Sequence, residues 1–457
     1  MADDAPPQGM WARALDMADR TPASRNRYAD LLRAIAISCV VLGHWTMAAP
    51  YLDAGEPAIA HLLAIEPWTR WITWAFQVMP VFFFVGGFSN GMSWEATLRK
   101  GGGFSGWFAS RLERLLGPTL ALILFWAAAA ALGHALGVPA GMITSGSQIA
   151  LVPTWFLAVY ILVCMAVPLT HRAWERFGMA SVVVTMALAV VMDVVFFNAP
   201  SLRWMAWSNF LFIWLSVHQL GYAWQDGLKS GGKTLLVGLV SLGALAALVH
   251  FGPYPISLVG VPGQALADGT SLSNTRPPKL PILAHGLAQI GLLLALQGAA
   301  NRWLAGRKPW AATVLANGMI MTVFLWHSTS MMLLFGLGFL LGGVGLEPTP
   351  GSGAWWSIRP LWILGFAVAT VPFIAIFRRF ERTSGRPPVA LPRLIVGCVL
   401  ACVGLALLAI SGVNGDGPLG LRWLPLSMPL IGCAIAGFGP LAIVEVKLRG
   451  ANPSESN

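Results

Sequence analysis

The chain has 457 residues, of which 56% are hydrophobic and only 11% charged. A soluble domain carries about 25% charged residues, so this composition excludes a large soluble protein and points to the membrane. The net charge of +10 does not mark a nucleic-acid binder. The basic residues gather in alternate loops between apolar runs, which is orientation signal and attraction to anionic lipid.

In chain order, residues 1–26 mix acids and bases around Pro6 and Pro7 and lack an apolar core. They read as a cytoplasmic tail rather than a cleaved signal peptide. About twelve windows of roughly 20 apolar residues follow, each long enough to cross a bilayer. They centre on Val40, Phe82, Ile123, Val159, Ala187, Phe212, Leu242, Leu292, Met321, Phe366, Val403 and Cys433. The tail carries Arg13, Arg20, Arg25 and Arg27, and the loop after the second window carries Arg99, Lys100, Arg111 and Arg114. Later loops on the same side hold Arg172, Arg176, Lys229, Lys233, Arg302, Arg307, Lys308, Arg378, Arg379, Arg382 and Arg386, and the chain closes with Lys447 and Arg449. The opposite loops hold only Arg70, Arg203, Arg276, Lys279, Arg359 and Arg422. This asymmetry predicts cytoplasmic termini and a multi-pass protein of the plasma membrane. The longest outer loop, about residues 251–281, contains Asp268, Arg276 and Lys279. The expected fold is an all-α polytopic membrane protein with a ten-span core over 27–386. Two additional spans (387–448) and a cytoplasmic tail (449–457) complete it.

The polar residues inside apolar windows are the candidates for chemistry. Arg33 and His44 share the first window, eleven steps apart, or roughly 16 Å along a helix. With Arg33 at the membrane surface, His44 stands near the middle of the hydrocarbon, where an ionisable group is costly and marks function. The structural alternative is a histidine bonded to a neighbouring carbonyl. Gly43 beside it allows a close approach, and a neutral imidazole shielded from water is a competent base for a hydroxyl. Arg111 and Arg114 are three apart and share a helix face, an arrangement suited to phosphate but also to ordinary flanking charge. In the run Met79 to Asn90, Pro80 frees backbone groups and Gly86-Gly87 permits close packing, so the run borders protein rather than lipid. Trp326-His327 and Asp193 lie inside later windows. Asp193 could orient an imidazole, pair with an arginine, or stay protonated. His218, His250 and His285 fall near window ends and read as structural, and His61, His134 and His171 have no partner pattern. The cysteines Cys39, Cys164, Cys398, Cys402 and Cys433 sit in apolar runs as structural thiols. No metal-ligand spacing and no serine nucleophile elbow is present.

Arg33 with His44, Met79-Pro80 with Phe82-Phe83-Phe84 and Gly87-Phe88, Arg111 with Arg114, Thr154-Trp155-Phe156-Leu157 and Leu325-Trp326-His327 together resemble the acyltransferase-3 family of integral membrane acyltransferases. The resemblance covers roughly Arg27 to Arg386. One departure is Gly86, where the family's usual serine precedes Gly-Phe; another is the pair of extra spans in place of an esterase-like domain. The resemblance implies transfer of an acyl group, commonly acetyl, from cytoplasmic acyl-CoA to a hydroxyl of a glycan, lipid or secreted metabolite. Arg33, Arg111 and Arg114 would hold the acyl-CoA, with no metal. His44 would be the base or the acyl carrier, with Asp193 as its candidate partner. His327, Trp326 and Asn90 would serve the acceptor. The rival reading is a proton-coupled secondary transporter with a midplane His/Asp site. No duplicated halves are visible to support it.

Overall fold

With no water to satisfy the backbone, an apolar segment in lipid closes its hydrogen bonds within itself, and so forms a helix. The computed structural model describes residues 9–22, 24–228, 231–381 and 385–442. Lys229, Arg382, Lys447, Arg449, residues 1–8 of the N-terminal tail and the tail 449–457 lie outside the described residues. In chain order the helices are α1 (Met10–Asp19), α2 (Arg27–Met47), α3 (Leu62–Ile65), α4 (Thr69–Phe76), α5 (Met79–Arg99), α6 (Phe104–Ala135) and α7 (Ala140–Leu151). Then come α8 (Pro153–Met165), α9 (Val167–Phe177), α10 (Met179–Asn198), α11 (Asn209–Gln225), α12 (Gly232–Phe251) and α13 (Leu280–Leu304). The last are α14 (Arg307–Asn317), α15 (Ile320–Leu340), α16 (Gly353–Phe377), α17 (Leu391–Ser411) and α18 (Trp423–Ile435). The protein is an all-α polytopic membrane protein, with 10 helices among the described residues long and apolar enough to span.

Two of the expected windows differ. The one around Phe212 forms α11, of 17 residues, and the one around Cys433 forms α18, of 13. α18 is shortened by the chain reversal at Gly412–Arg422 and carries Pro429 inside. α11 is short but central. It packs along α5 so closely that a Cβ at Gly87 would collide with the carbonyl oxygen of His218, and one at Gly221 with that of Phe84. Glycine pairs of this kind let two backbones touch in a membrane, where packing rather than water drives association.

The Pro80 reading needs correction. Pro80 lies in the first turn of α5, where its missing N–H breaks no helical bond. The irregularity sits one step earlier, between α4 and α5. The carbonyl freed at Gln77 accepts from Nε2 of His285 at 2.9 Å and from Nε2 of Gln289 at 3.1 Å. That is the structural role expected for His285. An element absent from the sequence reading is the antiparallel hairpin of β1 (Ala48–Asp53) and β2 (Glu56–His61). Its two-residue turn, Ala54-Gly55, has φ of 51° and 89°, the left-handed pair that hairpin twist requires.

Candidate active site

α2 and α15 meet side by side and bring two histidines into contact. His44 Nδ1 and His327 Nε2 are 2.8 Å apart, and the rings stack with centroids 5.1 Å apart. The hydrogen-bond partners define the tautomers. His327 Nδ1 lies 2.7 Å from the carbonyl of Phe324, which can only accept, so Nδ1 carries the proton. A neutral His327 then offers the lone pair of Nε2, and His44 must donate to it from Nδ1. The free lone pair of His44 is thereby placed on Nε2. Ser328 Oγ also lies 3.1 Å from His327 Nε2 and reinforces its role as acceptor.

The backbone around the pair is held from several sides. Trp45 Nε1 donates to the carbonyl of His327 at 3.0 Å, and the Ser330 hydroxyl donates to the same carbonyl at 2.9 Å. Arg359, buried on α16, donates to the carbonyls of Trp45 (2.6 Å), Thr46 and Ala48 at the end of α2. A guanidinium there answers the unpaired carbonyls and negative dipole end of the helix that carries His44.

Arg33 stands eleven residues back along α2, about 16 Å away. Its Nη1 pairs with Asp30 at 3.0 Å and its Nη2 donates to Ser89 Oγ at 3.0 Å. Arg111 points inward from α6. Its Nε donates to Asn90 Oδ1 at 3.0 Å, another nitrogen donates to Ser93 Oγ, and the guanidinium covers the Trp107 ring at 4.1 Å. No carboxylate pairs with Arg111 among the described residues. Asn90 passes the network on to Tyr160 (3.4 Å), Cys164 Sγ (3.4 Å) and His218 Nε2 (3.1 Å). Arg114 is exposed, so the shared face holds one arginine turned into the protein and one turned out.

Three residues stand elsewhere than the sequence placed them. Asn90 sits on the arginine side of the site and orients Arg111. Trp326 is fully buried in packing, stacked on Phe373 and Phe377 at 4.7 and 4.0 Å. Asp193 contacts no imidazole among the described residues. Its carboxylate accepts from Asn209 Nδ2 (3.2 Å), the Tyr254 hydroxyl (2.9 Å) and the Leu280 N–H (2.8 Å). It therefore ties down both ends of the loop between α12 and α13. Beside it Lys279 is buried with Nζ over the Phe196 ring, and burial pulls its ammonium down to about 8, partly opposed by the charge of Asp193. On the same loop Asp268 is held down at about 2, chiefly by its hydrogen bond from Arg203 and then by the Thr270 N–H.

The sequence reading missed Asp30, Ser328, Arg359 and the functional setting of Tyr160 and His218. Asp30 could have been found, three residues before Arg33 on one helix face. Ser328, next to His327 in sequence, was equally within reach; the others are set by tertiary contacts. Tyr160 also accounts for Gly86. A Cβ at Gly86 would lie 2.8 Å from Tyr160 Cε2, so the tyrosine ring occupies the space a larger residue would need.

These elements define an integral membrane protein in which His44 pairs with His327, and Arg33 and Arg111 are held by hydrogen bonds to the neighbouring helix α5. Its sequence matches the acyltransferase-3 family, described as an acyltransferase domain, over residues 26–379. The chain belongs to that family and is a membrane acyltransferase. No curated protein and no solved structure matches it.

Proposed function

We propose that the protein carries an acyl group, acetyl in the simplest case, from cytoplasmic acyl-CoA to a hydroxyl on an extracytoplasmic or membrane-associated glycan, lipid or secreted metabolite. The reading places the protein in the plasma membrane with its basic loops and termini cytoplasmic, and treats 387–448 as an addition to the acyltransferase core. The observation that carries it is the His44–His327 contact, which leaves a lone pair on His44 Nε2 in the last turn of α2, the helix whose other end holds Arg33.

His44 Nε2 takes the proton of the acceptor hydroxyl as the oxygen attacks the thioester carbonyl. The imidazolium so formed shares its Nδ1 proton with His327, a charge-assisted bond stronger than the neutral one it replaces. Collapse of the tetrahedral intermediate expels the CoA thiolate, which takes the proton back from Nε2. Arg111 has no carboxylate partner among the described residues, so donor phosphate would neutralise a half-buried cation whose isolation is costly. Arg33 and Arg114 flank it for the same anion. Asp193 serves this reaction by holding the loop that leads into α13.

The test is CoA release and acyl-CoA binding by purified protein in nanodiscs. His44→Ala should lose turnover by two to four orders of magnitude, roughly the contribution of a general base, and retain binding. Arg114→Ala should weaken binding about tenfold. A wild-type protein that binds no acyl-CoA would overturn the proposal.

A further inference from the structure

We infer that the pocket between the end of α14 and the turn following α16 holds the nucleotide end of the donor, with Arg378 and Arg379 on its phosphates. This rests on the acyltransferase reading above and adds a site to it. The pocket has a volume of about 520 Å³ and is lined by Gly318, Ala375, Arg378 and Arg379, a size typical of ligand sites, which run to roughly 300–1,000 Å³. Both arginines are exposed, and neither pairs with a carboxylate among the described residues. Two adjacent guanidiniums without an acid are a ready receptor for phosphate.

The turn that carries the two arginines is held in place by its surroundings. The arginines open a one-turn 3-10 segment, Arg378–Glu381. Its acid, Glu381, is committed elsewhere: it accepts from the backbone N–H of Thr322 at 3.0 Å and from the Thr322 hydroxyl. That fixes the turn on the first residues of α15, the helix that carries His327. On its other side the turn meets α6 at Gly117, where a Cβ would stand 3.1 Å from the Phe380 carbonyl oxygen. Gly117 is three residues from Arg114 and so on the same side of α6.

The third wall connects to Arg33. Asn317, next to Gly318, donates to the Asp30 carbonyl at 2.9 Å, and the Asp30 carboxylate holds Arg33. The pocket wall at Gly318 is thus linked through Asn317 and Asp30 to Arg33, and the turn is linked through Gly117 to the helix that carries Arg111 and Arg114. Acyl-CoA carries its charge in two places, a diphosphate and a more remote 3′-phosphate on the adenosine. Arg111 and Arg33 are partly engaged with Asn90, Ser93, Asp30 and Ser89, and stand toward the interior, where the diphosphate and pantetheine must pass. The outer pair is left for the adenosine phosphate.

The experiment compares acetyl-CoA with acetyl-pantetheine, which has the thioester and lacks the nucleotide. In the Arg378→Ala/Arg379→Ala double variant, KM for acetyl-CoA should rise tenfold or more with kcat within twofold of wild type. KM for acetyl-pantetheine should not change. Adenosine 3′,5′-bisphosphate should inhibit wild type competitively against acetyl-CoA and lose at least tenfold in potency against the double variant. Arg378→Lys/Arg379→Lys should recover part of both effects. An unchanged KM for acetyl-CoA, an equal rise for both donors, or equal inhibition by the bisphosphate would overturn the assignment while leaving the acyltransferase reading intact. A wild type that turns over neither donor would remove both.

Discussion

His327→Ala tests the histidine couple directly. The substitution removes the acceptor 2.8 Å from His44 Nδ1. In the ground state His44 keeps a buried N–H without a partner, at a cost of about 1–3 kcal/mol, or turns to the other tautomer and loses its Nε2 lone pair. In the transition state the bond lost is one to an imidazolium, worth about 1.5–3 kcal/mol. The barrier rises only by the excess of the charged bond over the neutral one, about 1–1.5 kcal/mol, which lowers kcat roughly 5- to 13-fold. Donor binding should persist, because Arg33 and Arg111 are held by Asp30, Ser89, Asn90 and Ser93, none of which touches His327. His327→Gln should be milder, since a glutamine carbonyl can accept from Nδ1. The assay is steady-state CoA release in nanodiscs, with thermal unfolding as the control for the cavity left behind. A folded His327→Ala protein with kcat within twofold of wild type would refute the argument. So would a variant whose entire loss lies in KM.

Two further outcomes follow from packing and from charge. Gly87→Ala forces a methyl against the His218 carbonyl and should separate α5 from α11, costing at least the 1–3 kcal/mol typical of overpacking; a melting temperature equal to wild type would show that the two helices can move apart freely. The Arg203–Asp268 contact should anchor the loop at residues 252–279 in a pH-dependent way. Its carboxyl is held down at about 2, against an ordinary value near 4. A depressed carboxylate contributes fully above its unfolded value and loses that contribution as pH falls through the folded one. Pepsin cleavage in the loop should therefore become easier between about pH 4 and pH 2, beyond the change in pepsin's own activity measured on an unstructured peptide. In Asp268→Asn that extra acid dependence should vanish, and its persistence would count against the anchor.

Period and composition made the helices legible, because lipid leaves the backbone few alternatives. The same logic made His44 visible: an imidazole with no polar neighbour in sequence must find its partner in space. What stayed hidden was the partner's part in the arrangement. His327 was expected on the acceptor side, yet its Nδ1 bond to Phe324, three residues earlier on its own helix, makes it the acceptor for His44. Nothing in the spacing of α2 and α15 along the chain predicts that contact. Asp193 was open to three readings for a related reason. A buried carboxylate must be satisfied, but sequence does not say by what, and here Tyr254, Asn209 and a backbone N–H supply the answer.

Charge was the least legible signal, because at a membrane rim one residue type answers two demands. A basic loop orients the chain whether or not it binds anything. Arg111 and Arg378 therefore look alike in sequence, each a basic residue flanking an apolar run. Structure separates them from purely topogenic charge by what lies around them. Arg111 is half-buried on Asn90 and Ser93 with no acid beside it among the described residues, and Arg378 borders a pocket while Glu381, three residues on, is tied to α15. Asp30 makes the contrast from the other side: Arg25 pairs with it at 2.6 Å and Arg33 at 3.0 Å, so part of the rim's positive charge is already neutralised. Among the described residues, the arginines left without an acid are those that an anionic donor would stabilise most.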